Sequence, residues 1–542
     1  MILLLTTLNC LGQTPTVGLI QRSPGSLDDG YVLFAPIIST TTYLIDKCGR
    51  EVHHWNSAYQ PGQSVYLLED GSLLRSGIVS NPVFNSGGGQ GGIIEKLDWN
   101  SNVLWSYTFS DSVNCQHHDI KPMPNGNILV IGWEKKTVAE AIANGRNPAL
   151  LGTSLWSEQV IELQPVGTDS AIVVWEWHLW DHLIQRIDST KLNYGLVVNH
   201  PELINLNFHA STEVDWIHLN AVDYNPALDQ VMISAHNFNE IWVIDHGTTT
   251  AQAAGHTGGV RGKGGDLLWR WGNPFAYVHG AVADKKLFMQ HNPHWIPAGL
   301  PHAGEIMVFN NGNLRNPVEY SSVDIIAPPV DTAGNYSTAL PFLPNNAYWI
   351  YKDSIPENFY SKNISGAQQL SNGNVLICYG FYGNFFEIDS NKNTVWRYIN
   401  PVASHVYSQG DSLLVQNNVF RCTFYPSSYA GFNGHTLLPG LPMEQNPLPD
   451  NCTLITATTE NNLSGPLQLS PNPATDHITI TLPEDYLPGP EIVIYNIFGD
   501  QLMNLNPNSS PFNIDVSTLS AGLYLMRISS NQKTTAAKFI VR

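Results

Sequence analysis

Histidines that stand just ahead of short apolar runs are the residues of this sequence best suited to chemistry. In CQHHDIKPMPNGNIL, His117 and His118 precede Asp119, while His218 lies in DWIHLNAVDYN and His291 in MQHNPHW. Neutral imidazoles bind zinc or act as nucleophiles and general bases near neutral pH, and protonated imidazoles bind oxyanions such as sulfate. All three chemistries stay open until the elements that carry these residues are known.

Those elements recur along the chain. A short apolar strand, a turn with Asp, Asn or Gly and a second strand with an aromatic residue form a hairpin pattern, usually preceded by another hairpin with Asp-Gly or Asn-Gly. The copies are TYLIDKCGREVHHW, IIEKLDWNSNVLWSY, VIELQPVGTDSAIVVWEW, IWVIDHG with GDLLWRW, IMVFNNGNLRNPVEYSSV and FFEIDSNKNTVWRY. Four strands per repeat form one propeller blade, so the pattern predicts an all-β fold with a six-bladed β-propeller over roughly residues 30–425.

The repeat also indicates which residues face one another. His118 lies eight positions before the glycine of its PNGNIL turn, and Gln63 and Ser365 stand eight before the glycines of EDGSLL and SNGNVL. His218 and His291 hold comparable places. Innermost strands line the channel of a propeller, so we expect a ring of Gln63, His118, His218, His291 and Ser365 at one mouth.

Polar and aromatic neighbours complete the candidate site. Asn220 and Asn292 follow the histidines, and Arg315, after FNNGN, could bind an oxyanion, although a plain surface arginine fits its position equally well. His182 lies in WDHL within a tryptophan-rich stretch that could cover the channel mouth and contact a phenolic ring. Packing within a blade is the alternative for at least two of these tryptophans.

Composition excludes several classes of protein. The chain of 542 residues has a formal net charge of −19 and only 13% charged residues, whereas nucleic-acid binders carry basic faces. MILLLTTLNCLGQT, residues 1–14, reads as a signal peptide, and no other apolar run is long enough for a transmembrane span. The six cysteines are scattered without CxxC spacing, which argues against a zinc ribbon.

The chain changes character after about residue 440. A Pro-, Asn- and Thr-rich linker is predicted over 441–466, and a small β-sandwich over 467–542. SPNPATD, IYNIFGDQL, LSAGLYLMRI and KFIVR resemble the C-terminal sorting domain that Bacteroidetes use for export through the type IX secretion system. This resemblance implies the type IX machinery as a partner and a secreted or surface-attached protein; an Ig-like adhesive module is the alternative.

Residues 25–440 resemble the arylsulfotransferase (aryl-sulfate sulfotransferase) family. The likeness is carried by YLIDKCGREVHHW, CQHHDIKPMPNGNIL, DWIHLNAVDYN, GDLLWRWGNP, QHNPHW and VFNNGN. It implies a propeller that moves a sulfuryl group from a phenolic sulfate to a phenol through a sulfated histidine, without a nucleotide donor or other cofactor. It further implies that His218 and His291 are supporting histidines and that Arg315 binds the sulfuryl oxygens.

One position departs from the family. Where its nucleophilic histidine is expected, this chain reads SKNISGAQQLSNGNVL, with Ser365 at or near the site. Either the nucleophile has moved, for example to His118, or Ser365 acts with His218 or His291 as base, or transfer is lost. A metal-dependent hydrolase that uses the three histidines and a non-catalytic binding or adhesion propeller remain alternatives.

Overall fold

The computed structural model describes residues 14–411, 414–448, 452, 468–482, 489–496, 500–530 and 533–542. The chain divides into two compact units, 1–454 and 455–542, which are described separately. The predicted signal peptide, except Thr14, and most of the predicted linker lie outside the described residues.

The described part of the first unit contains six antiparallel sheets of four or five strands. They are numbered in chain order, and only sheet 1 takes its first strand from near the end of the unit. Sheet 1 has, in spatial order, Val419–Pro426, Gly30–Pro36, Thr41–Asp46 and Glu51–Asn56. Sheet 2 has Pro61–Leu67, Leu73–Ile78, Gly92–Leu97 and Val103–Thr108. Sheet 3 has Asn114–Pro122, Ile128–Lys136, Leu155–Val166 and Ser170–His178.

The other three sheets follow the same pattern. Sheet 4 has Leu219–Asn225, Gln230–Ala235, Glu240–Asp245 and Trp269–Trp271. Sheet 5 has His291–Trp295, Ile306–Asn310, Ser322–Ile326 and Trp349–Tyr351. Sheet 6 has Gly366–Gln369, Val375–Tyr379, Asn384–Ile388, Thr394–Ile399 and, at its far edge, Gly18–Arg22.

The first strand named in each sheet is its inner strand. Each inner strand contacts the inner strand of the next sheet, and the inner strand of sheet 6 contacts the inner strand of sheet 1. The six inner strands therefore form a closed ring of contacts. This is a propeller-like β arrangement. The turns after the inner strands explain the glycine pattern, because Gly71, Gly126 and Gly373 have φ of +81°, +86° and +90°, which residues with a side chain rarely adopt.

Apolar side chains between the sheets form the core. Trp55, Trp105, Trp269 and Trp396, from the outer strands of four different sheets, are all at least 96% buried. Trp175 and Trp177 are also buried, which confirms the packing interpretation for two tryptophans of the stretch before His182. Large aromatic surfaces removed from water are the main stabilising contribution to such a fold.

The remaining elements are short. The α-helices are Val138–Ala143 and Thr250–Ala253, and Leu183–Ile184 pairs in parallel with Ile204–Asn205. The 3-10 helices are Pro24–Ser26, Pro148–Leu150, Leu179–Asp181, Val197–Asn199, His236–Phe238, Pro274–Tyr277, Val282–Asp284, Pro356–Asn358, Gly380–Tyr382 and Ala430–Phe432. A disulfide joins Cys48 to Cys452, and Cys115, Cys378 and Cys422 are free and buried.

Two details of the repeat assignment are wrong. IMVFNNGNLRNPVEYSSV forms the second and third strands of sheet 5 rather than its third and fourth, because the fourth strand is Trp349–Tyr351. The amphipathic pattern of KKTVAEAIANGRNPALL, residues 135–151, predicts one helix inserted within a blade, but the α-helix covers only Val138–Ala143, followed by the 3-10 helix Pro148–Leu150. The preceding strand continues to Lys136, and Gly145 at φ +90° breaks the helix after one and a half turns.

The described part of the second unit contains two antiparallel sheets. One consists of Gln468–Ser470, His477–Thr481 and Phe512–Asp515, the other of Gln501–Leu505, Glu491–Tyr495, Gly522–Ser530 and Lys533–Val541. Apolar residues of both sheets, such as Ile478, Ile494 and Met526, pack into one core. Among the described residues of either unit, no helix has the length and hydrophobicity needed to cross a membrane.

Candidate functional site

A cavity of about 370 Å³ lies at the end of the inner strands where the chain enters sheets 3, 4 and 5. Four histidines face it: His118, His218, His236 and His291. The ring centroids are 4.5 Å apart for His118 and His218, 4.9 Å for His218 and His236, and 5.4 Å for His236 and His291. The cavity wall is therefore a continuous line of imidazole rings from three sheets, called here the histidine row.

His218 is held by one ring nitrogen. Its Nδ1 lies 2.6 Å from Oδ2 of Asp215, and a carboxylate oxygen accepts, so Nδ1 carries the hydrogen. Trp133 donates from its indole nitrogen to the other oxygen of Asp215 at 3.2 Å, which orients the carboxylate. Among the described residues Nε2 of His218 has no hydrogen-bond partner. A neutral His218 thus keeps a lone pair on Nε2 beside the cavity.

His118 lies at the end of a buried chain of hydrogen bonds with His117 and Glu158, called here the relay. Its Nδ1 lies 2.9 Å from Nδ1 of His117, and Nε2 of His117 lies 2.8 Å from Oε2 of Glu158. The second oxygen of Glu158 accepts from the Leu219 amide at 2.9 Å, and His117 stacks on Trp133 with ring centroids 4.2 Å apart. Burial, followed by the charge of Asp215, raises the pKa of Glu158 well above its usual value.

The buried histidines of this region are neutral near pH 7. Burial, followed by repulsion from neighbouring imidazolium charge, holds the pKa of His117, His118 and His236 well below 6.5. Burial likewise lowers the pKa of His291 to about 3. Neutral rings suit nucleophilic or general-base roles better than a purely electrostatic one.

His291 has no free nitrogen. Its Nδ1 donates to Oδ1 of Asn311 at 2.8 Å, and its Nε2 accepts from the Ile364 amide at 3.2 Å. The Asn311 amide is itself oriented because its nitrogen donates to the carbonyls of Ser361 and Ile364. His291 therefore acts as a fixed wall of the cavity that joins sheets 5 and 6.

A run of three glycines covers His118. Gly87, Gly88 and Gly89 have φ of +88°, +81° and +72°, and the Gly89 carbonyl accepts from the His118 amide at 2.8 Å. A Cβ on Gly89 would lie 1.9–2.3 Å from atoms of the His118 ring, whereas one on Gly88 would meet nothing within 4 Å. The close approach of backbone to imidazole requires glycine at position 89.

The structure places the predicted residues in different surroundings. His118, His218 and His291 line the cavity together with Gln63. Ser365 is 1% exposed, and its hydroxyl bonds to Ser361 Oγ at 2.8 Å and accepts from the Gly380 amide at 3.0 Å.

The two asparagines lie beneath the histidine row. Asn220 is fully buried and donates to the Gln290 carbonyl at 2.8 Å, which joins the inner strands of sheets 4 and 5. Asn292 lines a second cavity of about 160 Å³ with Arg421 and Lys121. Both side chains are thus placed between or below the inner strands rather than against the imidazole rings of the row.

Arg315 and His182 lie elsewhere. The Arg315 guanidinium packs 4.0 Å from the Tyr320 ring centroid and 5.0 Å from that of Phe288, in a separate cavity of about 340 Å³. His182 is buried against Asp266 and the Ala253 carbonyl. The structure does not bring either side chain to the wall of the histidine-row cavity.

Sequence reasoning missed several residues of that wall, among them Asp215, His236 and Lys362. His236 follows the second strand of sheet 4, and because this strand runs antiparallel to the inner strand, the His236 amide donates to the His218 carbonyl at 3.3 Å. Lys362 is the cationic residue that lines the cavity. The available signals were a histidine directly after VMISA and a lysine just ahead of an inner strand.

A propeller-like β protein with a histidine-lined cavity is the class that this fold and site define. The family model for arylsulfotransferase (ASST) matches residues 38–412, and that for a secretion system C-terminal sorting domain matches residues 468–542. The chain belongs to the arylsulfotransferase family. Its sorting domain indicates export to a secreted or cell-surface location.

Solved structures show only distant likeness, and no curated protein matches. A protein of unknown function from Bacteroides caccae is 11% identical, with 73% of this chain and 98% of that chain covered and a TM-score of 0.38. Virginiamycin B lyase from Staphylococcus aureus is 10% identical, with 73% and 88% covered and a TM-score of 0.32. Regucalcin from Agrobacterium tumefaciens is 10% identical, with 68% and 82% covered and a TM-score of 0.30.

Proposed function

We propose that residues 25–440 form a six-bladed β-propeller that transfers a sulfuryl group from a phenolic sulfate ester to a phenol through a covalent histidine intermediate. Residues 441–466 would link it to a sorting β-sandwich over 467–542. Family membership supports sulfotransferase-like chemistry and secretion. The closed series of contacts between six inner strands supports the blade number, and the joint core of the two C-terminal sheets supports the sandwich.

The open Nε2 of His218 carries the proposal. A nucleophilic imidazole needs one nitrogen held as N–H and the other free with its lone pair, and Asp215 at 2.6 Å supplies the first condition. His291 uses both nitrogens, and the Ser365 hydroxyl is buried in hydrogen bonds. His218 is accordingly the proposed nucleophile, in place of the histidine that the family would lead one to expect near Ser365.

The first half-reaction then follows. The His218 lone pair attacks sulfur, an N–S bond forms, and the bond from sulfur to the phenolic oxygen breaks. The departing oxygen takes a proton from Nε2 of His118. That proton is replaced through the relay: His117 gives its Nδ1 hydrogen to His118, and protonated Glu158 gives its hydrogen to Nε2 of His117.

The second half-reaction reverses these steps. An acceptor phenol attacks the sulfuryl group, and the N–S bond to His218 breaks. The phenol proton passes to Nε2 of His118, and a proton returns through His117 to Glu158. The raised pKa of Glu158 makes its carboxyl group the resting place of this proton. The same protonation sequence serves both halves, as microscopic reversibility requires of transfer between two phenols.

The cavity wall holds a cationic side chain, Lys362, together with the carboxylates of Glu213 and Asp215. The chain carries a net charge of −19, so a sulfate ester needs a nearby cation, and Lys362 lies in the cavity wall. Lys362 takes the role that the sequence pattern assigned to Arg315.

His236 lies between His218 and His291 in the histidine row. Its Nδ1 donates a hydrogen bond to Oδ1 of Asn237 at 2.7 Å, so Nε2 of the neutral ring is an acceptor. Among the described residues it has no carboxylate partner like that of His218, and this difference favours His218 as the nucleophile.

Mass spectrometry of the intact chain tests the proposal. Protein incubated with 4-nitrophenyl sulfate without acceptor, then digested at alkaline pH, should carry one sulfuryl group on the peptide that contains His218. The group should disappear after addition of a phenol, and His218→Ala should never acquire it. His200→Ala is the control, because His200 is an exposed histidine paired with Glu202.

Two results would overturn the assignment. A label on His118, Ser365 or another residue would move the nucleophile away from His218. Neither label nor nitrophenol release from a panel of aryl sulfates would favour the binding or adhesion protein over the transferase.

A further inference from the structure

A second histidine site lies apart from the histidine row, where the loop 246–266 of sheet 4 packs on the segment after sheet 3. His182, His256 and Asp266 each offer one possible ligand atom, and these atoms all lie within 4.8 Å of one another. In the part of the chain that the structure describes, this is the only such group of three His, Cys, Asp or Glu residues. None of the three lines the cavity of the histidine row.

The hydrogen bonds of His182 indicate a cation in this group. Its Nε2 lies 2.8 Å from the Ala253 carbonyl oxygen, which can only accept, so Nε2 carries a hydrogen. Its Nδ1 lies 2.8 Å from Oδ1 of Asp266. In the neutral ring Nδ1 carries a lone pair rather than a hydrogen. This lone pair and those of Oδ1 of Asp266 repel at this distance unless a positive charge lies between them.

The second imidazole points to the same oxygen. Nδ1 of His256 also lies 2.8 Å from Oδ1 of Asp266, and the two rings meet nearly at right angles with centroids 5.8 Å apart. Ligands of tetrahedral zinc, at about 2.0–2.2 Å from the metal, lie roughly 3.4 Å from one another. An outward movement of about half an ångström by each imidazole would therefore admit the ion.

The surroundings have the features of a metal site. Metal-bound histidines usually donate their other ring N–H to a carbonyl or carboxylate, as His182 does to Ala253. His182 is fully buried and stacks on Trp177, whose indole nitrogen donates to the Gly265 carbonyl at 2.7 Å. The side chain of His256 is 58% exposed, which leaves a path for the ion and a position for a water ligand.

We propose that His182, His256 and Asp266 bind one Zn²⁺ ion, with water as the fourth ligand. Two imidazoles and one carboxylate suit a transition-metal ion such as zinc, whereas calcium and magnesium prefer oxygen ligands alone. The ion joins the loop 246–266 to the segment that follows Ser170–His178. Its role is structural, since the site is separate from the cavity that carries the proposed chemistry.

Metal analysis of the full-length chain tests this site. Protein equilibrated with Zn²⁺ and then passed through a desalting column should retain one zinc per chain, and Co²⁺ in its place should give the intense visible bands of a tetrahedral site. His256→Ala and Asp266→Asn should reduce the retained metal to near zero. His200→Ala, another exposed and carboxylate-paired histidine, and His218→Ala should retain it fully.

Thermal unfolding gives a second readout that is independent of activity. A chelator should lower the unfolding temperature of the wild type and leave that of His256→Ala unchanged, because only the wild type has a metal to lose. Zinc content equal in the wild type and His256→Ala would overturn the proposal and leave a protonated His182 as the cation. Zinc lost in His218→Ala but kept in His256→Ala would place the metal in the histidine row instead.

Discussion

Histidines in two regions of the first unit have opposite proton affinities, although both regions are largely buried. In the histidine row, burial lowers the pKa of His118, His236 and His291, to about 3 for His291. Burial also acts to lower the pKa of His246, but hydrogen bonds to Asp229 at 2.6 Å and Glu162 at 3.0 Å raise it to about 9. The nature of the partners, rather than the depth of burial, decides the charge.

The difference separates structural from chemical histidines. A carboxylate on each nitrogen makes His246 a cation near neutral pH, without a lone pair, and it packs beside Trp175 with ring centroids 4.7 Å apart. His218 has one carboxylate partner, so the opposite nitrogen stays available. A neutral ring with one held nitrogen is the arrangement that nucleophilic catalysis requires.

The largest effect is expected when the same substitution is made in both regions. His218→Ala should lower the rate of sulfuryl transfer by about 10³-fold, equivalent to roughly 4 kcal/mol, because the proposed nucleophile is removed. His246→Ala should leave the rate within a few-fold and instead lower the urea midpoint of unfolding. Nitrophenol release in the presence of phenol measures the first quantity, and comparable rates for the two variants would break the distinction.

The next effect concerns the glycines that cover His118. Gly89→Ala should lower the transfer rate by about 10²-fold, since a Cβ would overlap the His118 ring. Gly88→Ala is the matched control, because its φ is also positive while its Cβ meets nothing within 4 Å. Equal rates in the two variants would mean that only the strained backbone, not the position of His118, affects transfer.

A smaller effect is expected from Glu158→Gln. The amide can still hold His117 by a hydrogen bond but cannot supply a proton, so transfer from phenyl sulfate should fall by about 10-fold. Transfer from 4-nitrophenyl sulfate should fall less, because nitrophenolate needs little protonation. A purely structural role of Glu158 would lower both rates equally, and rates measured with the two donors distinguish these outcomes.

The smallest effect concerns stability against pH. The folded pKa of His246, about 9, exceeds the unfolded value of 6.5, so its stabilisation is complete below pH 6.5 and is lost as pH rises through 9. We expect a loss of about 1 kcal/mol, a reduced figure because the Asp229 side chain is 44% exposed to solvent. His246→Gln should remove this dependence in urea unfolding between pH 6.5 and 9.

The histidine row should behave oppositely in the same titration. The lowered pKa values of His118, His236 and His291 mean that the unfolded chain binds more protons below pH 6.5, so the free energy of unfolding should fall as the solution is acidified. His246→Gln should keep this acid limb. Its disappearance in that variant would mean that the two regions are coupled.

Much of the fold could be predicted because the repeat is local. Asp-Gly and Asn-Gly turns at positive φ and alternating strands identify hairpins from adjacent residues, and their alignment selected His118 correctly for the cavity wall. The strands of sheet 5 were assigned to the wrong places because 22 residues separate its last two strands, Ser322–Ile326 and Trp349–Tyr351, far more than a hairpin turn contains.

The site was harder to predict because its wall is not made by one strand position. His236 reaches the cavity from the far end of a neighbouring strand, and Lys362 from the segment before an inner strand. Alignment of inner strands cannot find such residues. Arg315 was chosen as the anion-binding residue by its turn alone, and only side-chain packing against Phe288 and Tyr320 shows the direction it takes.

The inner strand of sheet 1 comes from the opposite end of the unit, since Val419–Pro426 pairs with Gly30–Pro36. During synthesis and export the first sheet consequently has an unpaired apolar edge until nearly four hundred later residues have emerged. Pairing over so long a loop is slow, because the entropy of closure is lost before the contact forms. The series of contacts between inner strands is therefore closed only when this last strand arrives, so a prematurely ended chain would be prone to aggregate.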